Sequence, residues 1–297
     1  GAWMAWQLHS PEKGEGMVQA FRREQSAYTA IGLKLRGLNP NAVYSLKNID
    51  SGAETAQTGR VLMETGLPLA IDKQPGAAIV VYKLVTQAPT VYNKGRCGQN
   101  SGIAREAFNA DVLGLEPKPT FALIYIGMND VINDKFFTPL DKYIENVAWM
   151  IDQSRKAGIK PVICTIHHCV EAEVYKHHSR DKFGDETVNA KMDRYNVALR
   201  KLAADQKVDL ADFGAVAERT PSSEFLSSDG VHLTPSGNRL LAKTFFDVLA
   251  PQLHGKETIV CCGDSLTYGY LNAGAGSAEG ETYPAFLRQF PLPAAKQ

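Results

Sequence analysis

The sequence predicts two folds in one chain: a small antiparallel β-sandwich over residues 1–86, and an α/β domain with a parallel sheet between helices over residues 87–297. Three observations predict it. Up to residue 86 the apolar residues come in short runs separated by turn residues, with no helix of ordinary length. Beyond it, continuous apolar runs alternate with helical periods, the pattern of strands buried on both faces and linked by helices. All five cysteines (Cys97, Cys164, Cys169, Cys261 and Cys262) also fall beyond that point.

In the first part, strands are expected at residues 17–22, 29–35, 42–46, 61–63, 67–71 and 77–82. Asn39-Pro40-Asn41, Ser51-Gly52, Thr65-Gly66 and Pro75-Gly76 supply the turns between them. In the second part, residues 121–126 (FALIYI), 161–166 (PVICTI) and 258–262 (TIVCC) read as buried strands, with shorter ones near 91–92 and 208–210. Helical spacing covers 143–157, stopped by Gly158, and 190–204. A third helix is expected over Pro235–Leu249, with Thr234 as its N-cap and Pro235 in its first turn.

The 297 residues carry 32 basic and 32 acidic side chains. A nucleic-acid binder needs a cationic surplus to displace counterions, so this balance argues against one. It argues equally against a polybasic membrane-surface protein. No apolar run approaches the roughly 18 residues of a membrane-spanning helix. Residues 1–86 hold 9 basic and 7 acidic residues, so neither half is biased, and the expected target is small or carries little charge. The cysteines are odd in number and lie mostly in apolar runs, without a CxxC pair, so they read as mostly buried free thiols rather than a zinc site. With no visible leader, a soluble cytoplasmic protein is slightly favoured over a secreted one. The chain opens on Gly1 rather than Met, which leaves a removed leader open.

In parallel sheets ligands gather beyond the carboxyl ends of the strands. Four such ends carry suggestive residues. Gly263-Asp264-Ser265-Leu266 places a serine at a strand-to-helix turn, a nucleophile position. Asn93-Lys94-Gly95-Arg96-Cys97-Gly98 can turn tightly and expose N–H groups. Gly127-Met128-Asn129-Asp130 offers a side-chain amide to an oxyanion. In Asp229-Gly230-Val231-His232 the carboxylate can hold the imidazole. Each alone has an ordinary explanation as a cap or a turn. Together they supply nucleophile, base, orienting acid and oxyanion donors.

These four segments resemble the conserved blocks of the SGNH hydrolases, the GDSL-type serine esterases, across most of residues 87–297. The resemblance implies a flavodoxin-like three-layer sandwich. It implies Ser265, His232 and Asp229 as catalytic residues, and Gly98, Asn129 and the Ser265 N–H as the oxyanion hole. No metal or organic cofactor is implied. One departure is large: the family's order starts with the Ser block and ends with the His block, whereas here the Ser block comes last. The sequence therefore reads as a circular permutation, with residues 251–257 joining the family's last helix to its first strand. Residues 1–86 resemble the small C-terminal β-sandwich of α-galactosidase-like glycosidases, through the segments 3–9, 16–22, 35–37 and 51–52. That domain is accessory there, so no active residue is carried over.

The expected reaction is ester hydrolysis through an acyl-enzyme, with an acylated (by expectation acetylated) carbohydrate or a small ester as substrate. His167 and His168, which follow the strand at 161–166, are expected on the substrate rim; a metal site combining them with His177 and His178 lacks a characteristic spacing. Core packing is the favoured role for Trp3, Trp6 and Tyr44 over sugar stacking. Two other readings stay open: a thioesterase or lysophospholipase using the same triad, and a carbohydrate-binding module with a degenerate hydrolase domain. The oligomeric state is not legible.

Overall fold

A computed structural model describes residues 2–40, 42–85, 89–135, 137–253 and 256–290. They fall into two compact units, one within residues 1–87 and one spanning 88–290.

The first unit holds seven strands: β1 (Trp3–Ser10), β2 (Glu15–Arg22), β3 (Ala30–Leu33), β4 (Val43–Asn48), β5 (Glu54–Thr58), β6 (Leu67–Ala70) and β7 (Gly76–Leu84). Five form an antiparallel sheet in the order β1-β2-β7-β4-β5, and β3 pairs with β6. Alternate residues face inward, as a half-buried strand requires: Val18 and Ala20, Tyr44 and Leu46, Ala78, Val80 and Tyr82 meet Leu67 and Leu69 in one core. The structure corrects one expected strand. Residues 61–63 lie in a six-residue helix, Gly59–Glu64, because the Thr58 hydroxyl caps the Val61 N–H and Leu62 turns fully into the core. Two strands, β1 and β5, were not expected. β5 (ETAQT) is a polar edge strand, and β1 is an edge strand whose apolar residues do not alternate cleanly with polar ones.

The second unit has a five-stranded, all-parallel sheet of β8 (Thr90–Gly95), β9 (Phe121–Tyr125), β10 (Lys160–Cys164), β11 (Asp209–Ala211) and β12 (Thr258–Gly263). Its spatial order is β8-β12-β9-β10-β11, so β12, the last of these five in the chain, lies between β8 and β9, the first two of them. Counting β12 as strand one gives 2-1-3-4-5, the flavodoxin-like order. β9 and β12 are buried along their whole length, which is why their sequences are apolar without alternation.

The chain moves one way across the sheet from β8 to β11 and back from β11 to β12. With right-handed crossovers, helices on the outward path lie on one face and the returning helix on the other. Helices Ser101–Phe108, Leu140–Lys156 and Val188–Gln206 accordingly pack side by side, while Pro235–Leu249 packs with Tyr283–Leu287. The result is a three-layer sandwich. Pro235–Leu249 starts and ends where its cap and proline place it, with the Thr234 hydroxyl accepting from the Gly237 N–H. The helix Ser101–Phe108, continued by a π-helical turn over Asn109–Leu113, was not anticipated.

Candidate active site

The carboxyl end of β12 runs through Asp264 into a short helix, Ser265–Tyr268. Close packing fixes this turn. A Cβ on Gly263 would lie 2.1 Å from the Tyr125 carbonyl oxygen, and one on Gly95 would lie 2.1 Å from the Tyr268 nitrogen. Only glycine lets β8, β9 and the nucleophile turn come this near. Asn93 locks the arrangement by donating to the Ser277 carbonyl (2.9 Å) and accepting from the Gly95 N–H (3.0 Å).

Ser265 Oγ is 2.9 Å from His232 Nε2, and His232 Nδ1 is 2.6 Å from Asp229 Oδ2. Asp229 Oδ1 accepts three further hydrogen bonds, from the Ser227 hydroxyl (2.7 Å) and the N–H groups of Val231 and His232 (both 2.9 Å). Burial alone would raise this carboxyl; the Ser227 hydroxyl, the two N–H groups and the imidazole together hold it well below the usual carboxylate range. An ionised Asp229 keeps a proton on His232 Nδ1 and leaves Nε2 free to accept the Ser265 proton. Four residues, 229–232, thus fold back on one carboxylate, and Gly230 permits the turn with φ +72°.

The structure joins Asn129 to the residue that follows Gly98. Gly98 has φ +76° in the turn after β8, and the neighbouring Gln99 carbonyl accepts from the Asn129 amide at 3.0 Å. Asn129 opens a short helix behind Gly127, whose φ of +134° and close contacts with Ile166 and Tyr143 exclude a side chain. The next residue, Asp130, is fully buried and ties this segment to the helix Ser101–Phe108, accepting from the Ser101 N–H and hydroxyl. Asn129 also acts on the Asp264 carboxyl beside Ser265, so the amide faces the end of β12. Burial pushes Asp264 up to about 7, while the Leu266 N–H donates to its Oδ1 at 2.9 Å.

The expected rim residues separate. His167 is not on a rim: it is fully buried, and the reason is a hydrogen-bond relay. Its Nε2 bonds to the Val231 carbonyl at 2.9 Å and its Nδ1 to the Tyr125 hydroxyl at 2.6 Å, with Phe213 and Phe225 packed edge-on. Burial pushes it down to about 4, so it is neutral, with Nε2 as donor and Nδ1 as acceptor. His168 turns to the helix Val188–Gln206, where Asp193 holds it at 2.7 Å. Among the described residues, His168, Asp193 and Glu218 are the group with metal-ligand atoms close together, whereas His178 bonds to Asp134. Tyr44 is core, Trp3 packs against the core, and Trp6 is exposed and leans on Phe21. All five cysteines are free thiols; Cys97 alone of them is exposed.

Three residues at the site were not singled out from sequence. Ser227 had a readable signal, a hydroxyl two residues before an aspartate in a turn. Tyr125 had none, being one apolar letter in a buried run. Tyr270, whose ring centroid lies 4.8 Å from that of His232, stands five residues after the nucleophile and gives no periodic signal.

Two family models match the chain, and they overlap over residues 64–82. Residues 64–240 match the GDSL-like Lipase/Acylhydrolase family, a match that ends before β12 and Ser265. Residues 3–82 match the Glycosyl hydrolase family 36 C-terminal domain. A Bacillus subtilis (strain 168) relative, named uncharacterized lipoprotein YqeF, is 29% identical over 171 residues, covering 51% of this chain and 70% of the relative. A GDSL-like lipase from Bacteroides thetaiotaomicron is similar in structure, at 19% identity and TM-score 0.44, covering 52% of this chain and 73% of its own. An acetyl xylan esterase is similar at 24% identity and TM-score 0.41, covering 50% and 76%. No helix among the described residues is long and apolar enough to cross a membrane.

Proposed function

The chain belongs to the GDSL-like lipase/acylhydrolase family and is an ester hydrolase, and from this premise we propose that it removes short acyl groups, acetyl above all, from carbohydrate through an acyl-enzyme on Ser265. The observation that carries the mechanism is the continuous chain Asp229–His232–Ser265, at 2.6 and 2.9 Å.

In acylation His232 Nε2 takes the Ser265 proton as Oγ bonds to the ester carbonyl carbon. The oxyanion is received by the Gly98 N–H, the Asn129 amide and the Ser265 N–H. Collapse breaks the bond to the alkoxy oxygen, which leaves with the proton from His232. Water then gives a proton to His232 and its oxygen to the acyl carbon, and Ser265 leaves protonated. The carbohydrate substrate is supported by the glycosidase-type domain matched over residues 3–82 in the same chain. In this reading residues 1–86 are the accessory domain and 87–297 the catalytic one.

We propose further that the catalytic domain is a circular permutation. The position of β12 inside the sheet and the family match that ends at residue 240 support this reading.

The test is acetate release from acetylated polysaccharides and p-nitrophenyl acetate. Ser265→Ala should abolish both while the circular dichroism spectrum stays unchanged. Undiminished turnover in that variant rules the mechanism out.

A further inference from the structure

Beside the candidate catalytic pair stands an apolar surface that the hydrolytic mechanism does not use. Tyr270 is 45% exposed and Leu271 61% exposed, although the Tyr270 ring lies 4.8 Å from the His232 imidazole, tilted by 55°. These side chains are not a loose loop tip. The Tyr270 N–H donates to the Ser265 carbonyl at 3.0 Å, and Asn272 Nδ2 donates both to the Leu233 carbonyl (2.9 Å) and to the Tyr270 carbonyl (3.0 Å). The loop is therefore tied to the nucleophile itself and to the residue after the base. Leu271 sits at φ +70°, a left-handed conformation that a leucine avoids and that glycine or asparagine would take more easily. An exposed leucine held at such a φ gains nothing from burial; strain of this kind is characteristic of functional loops.

The chemistry of the triad says which part of an ester meets this surface. His232 Nε2 must hand its proton to the alkoxy oxygen, so the alcohol half of the substrate departs on the imidazole side, and the acyl half turns toward Ser265 and the oxyanion donors. A ring held at this distance from His232 flanks the alcohol. We propose that Tyr270 and Leu271 form the subsite for the leaving alcohol, and that this alcohol is a pyranoside whose C–H face lies on the Tyr270 ring. This inference rests on the carbohydrate-ester reading above and names the side chains that select for it. Such a shelf serves binding common to ground and transition states, so its loss appears in KM more than in kcat.

The experiment compares a mono-acetylated methyl pyranoside with ethyl acetate, whose alcohol is too small to cover the shelf. Tyr270→Ala should raise KM for the pyranoside so that its kcat/KM relative to ethyl acetate falls about three- to tenfold, the worth of one aromatic contact. Tyr270→Trp, which keeps a stacking face, should restore the ratio. An equal change for both esters, or no recovery with Trp, overturns the subsite and leaves the esterase reading standing. A wild-type protein that cleaves ethyl acetate but not the pyranoside overturns the choice of alcohol. A wild-type protein that cleaves neither overturns the esterase reading on which the proposal rests.

Discussion

The buried His167 makes a sharp prediction about pH. Its folded pKa is lowered to about 4 by burial, against 6.5 for the unperturbed side chain. The unfolded chain therefore binds a proton between these values that the folded chain refuses, and stability is lost as pH falls through that window. The full difference of 2.5 units corresponds to about 3.4 kcal/mol, of which about 2.5 kcal/mol should be lost between pH 7.5 and 4.5. His167→Gln keeps an N–H donor for the Val231 carbonyl but cannot titrate. It should be less stable than wild type at pH 7.5, because the contact with Tyr125 and the edge-on packing against Phe213 and Phe225 are disturbed, and it should lack this part of the pH dependence. The assay is urea unfolding followed by Trp149 fluorescence in a Trp3→Phe/Trp6→Phe background, which reports on the second unit alone. Equal pH dependence in the two proteins refutes the argument that His167 is held neutral.

Asp264 should show the opposite sign. Its carboxyl is raised to about 7, so stability is lost as pH climbs from about 4 to about 7; Asp264→Asn should remove that loss, checked by the same unfolding measurement. Asn129→Ala should cost on the order of 10²–10³ in kcat on p-nitrophenyl acetate, and a loss below about tenfold takes it out of the oxyanion hole. Asp229→Asn should lower kcat on the order of 10⁴-fold with little change in KM, because the wrong imidazole tautomer then faces Ser265; a small loss in steady-state kinetics makes the carboxylate dispensable. A chain rearranged to run from 256 to 290, through a short linker, and then from 89 to 253 should fold and hydrolyse p-nitrophenyl acetate, measured beside wild type; an unfolded product contradicts the permutation.

What could be read in the sequence follows from where the information lies. Pro235–Leu249 was legible to the residue because Thr234 and Pro235 are local signals for a helix start. The strands β9 and β12 were legible because burial on both faces leaves only apolar letters. β5 was not, since an edge strand with exposed residues has no pattern to display, and the helix Gly59–Glu64 was mistaken for a strand because three apolar letters fit either period. At the site, Ser265, His232, Asp229, Gly98 and Asn129 stood out because each combines a reactive or permissive residue type with a strand end. His167 meets the same test, yet its side chain is buried away from the rim. Following a strand places a residue near the rim, but the direction of its side chain is decided by Tyr125 and Val231, which lie 42 and 64 positions away.

Those two partners also explain why a rotated chain order is physically tolerable. The site depends on which strand ends are adjacent in space, and the bonds that hold them run between segments rather than along the chain. Asn93 reaches Ser277, Gln99 meets Asn129, His167 holds Val231, and His232 meets Ser265. None of these requires that one segment precede another. A break is permitted wherever the two new ends fall at the surface and near each other. Helix Tyr283–Leu287 packs directly on β8, so the distance between the last described residues and the start of the sheet is short. Hydrogen bonds across β8, β12 and β9 are the same whether β12 comes first or last, since parallel register fixes neighbours and direction but not order. What the order does change is folding. With β12 last, the centre of the sheet cannot close until the whole domain has been made, so β8 and β9 wait for the strand that joins them.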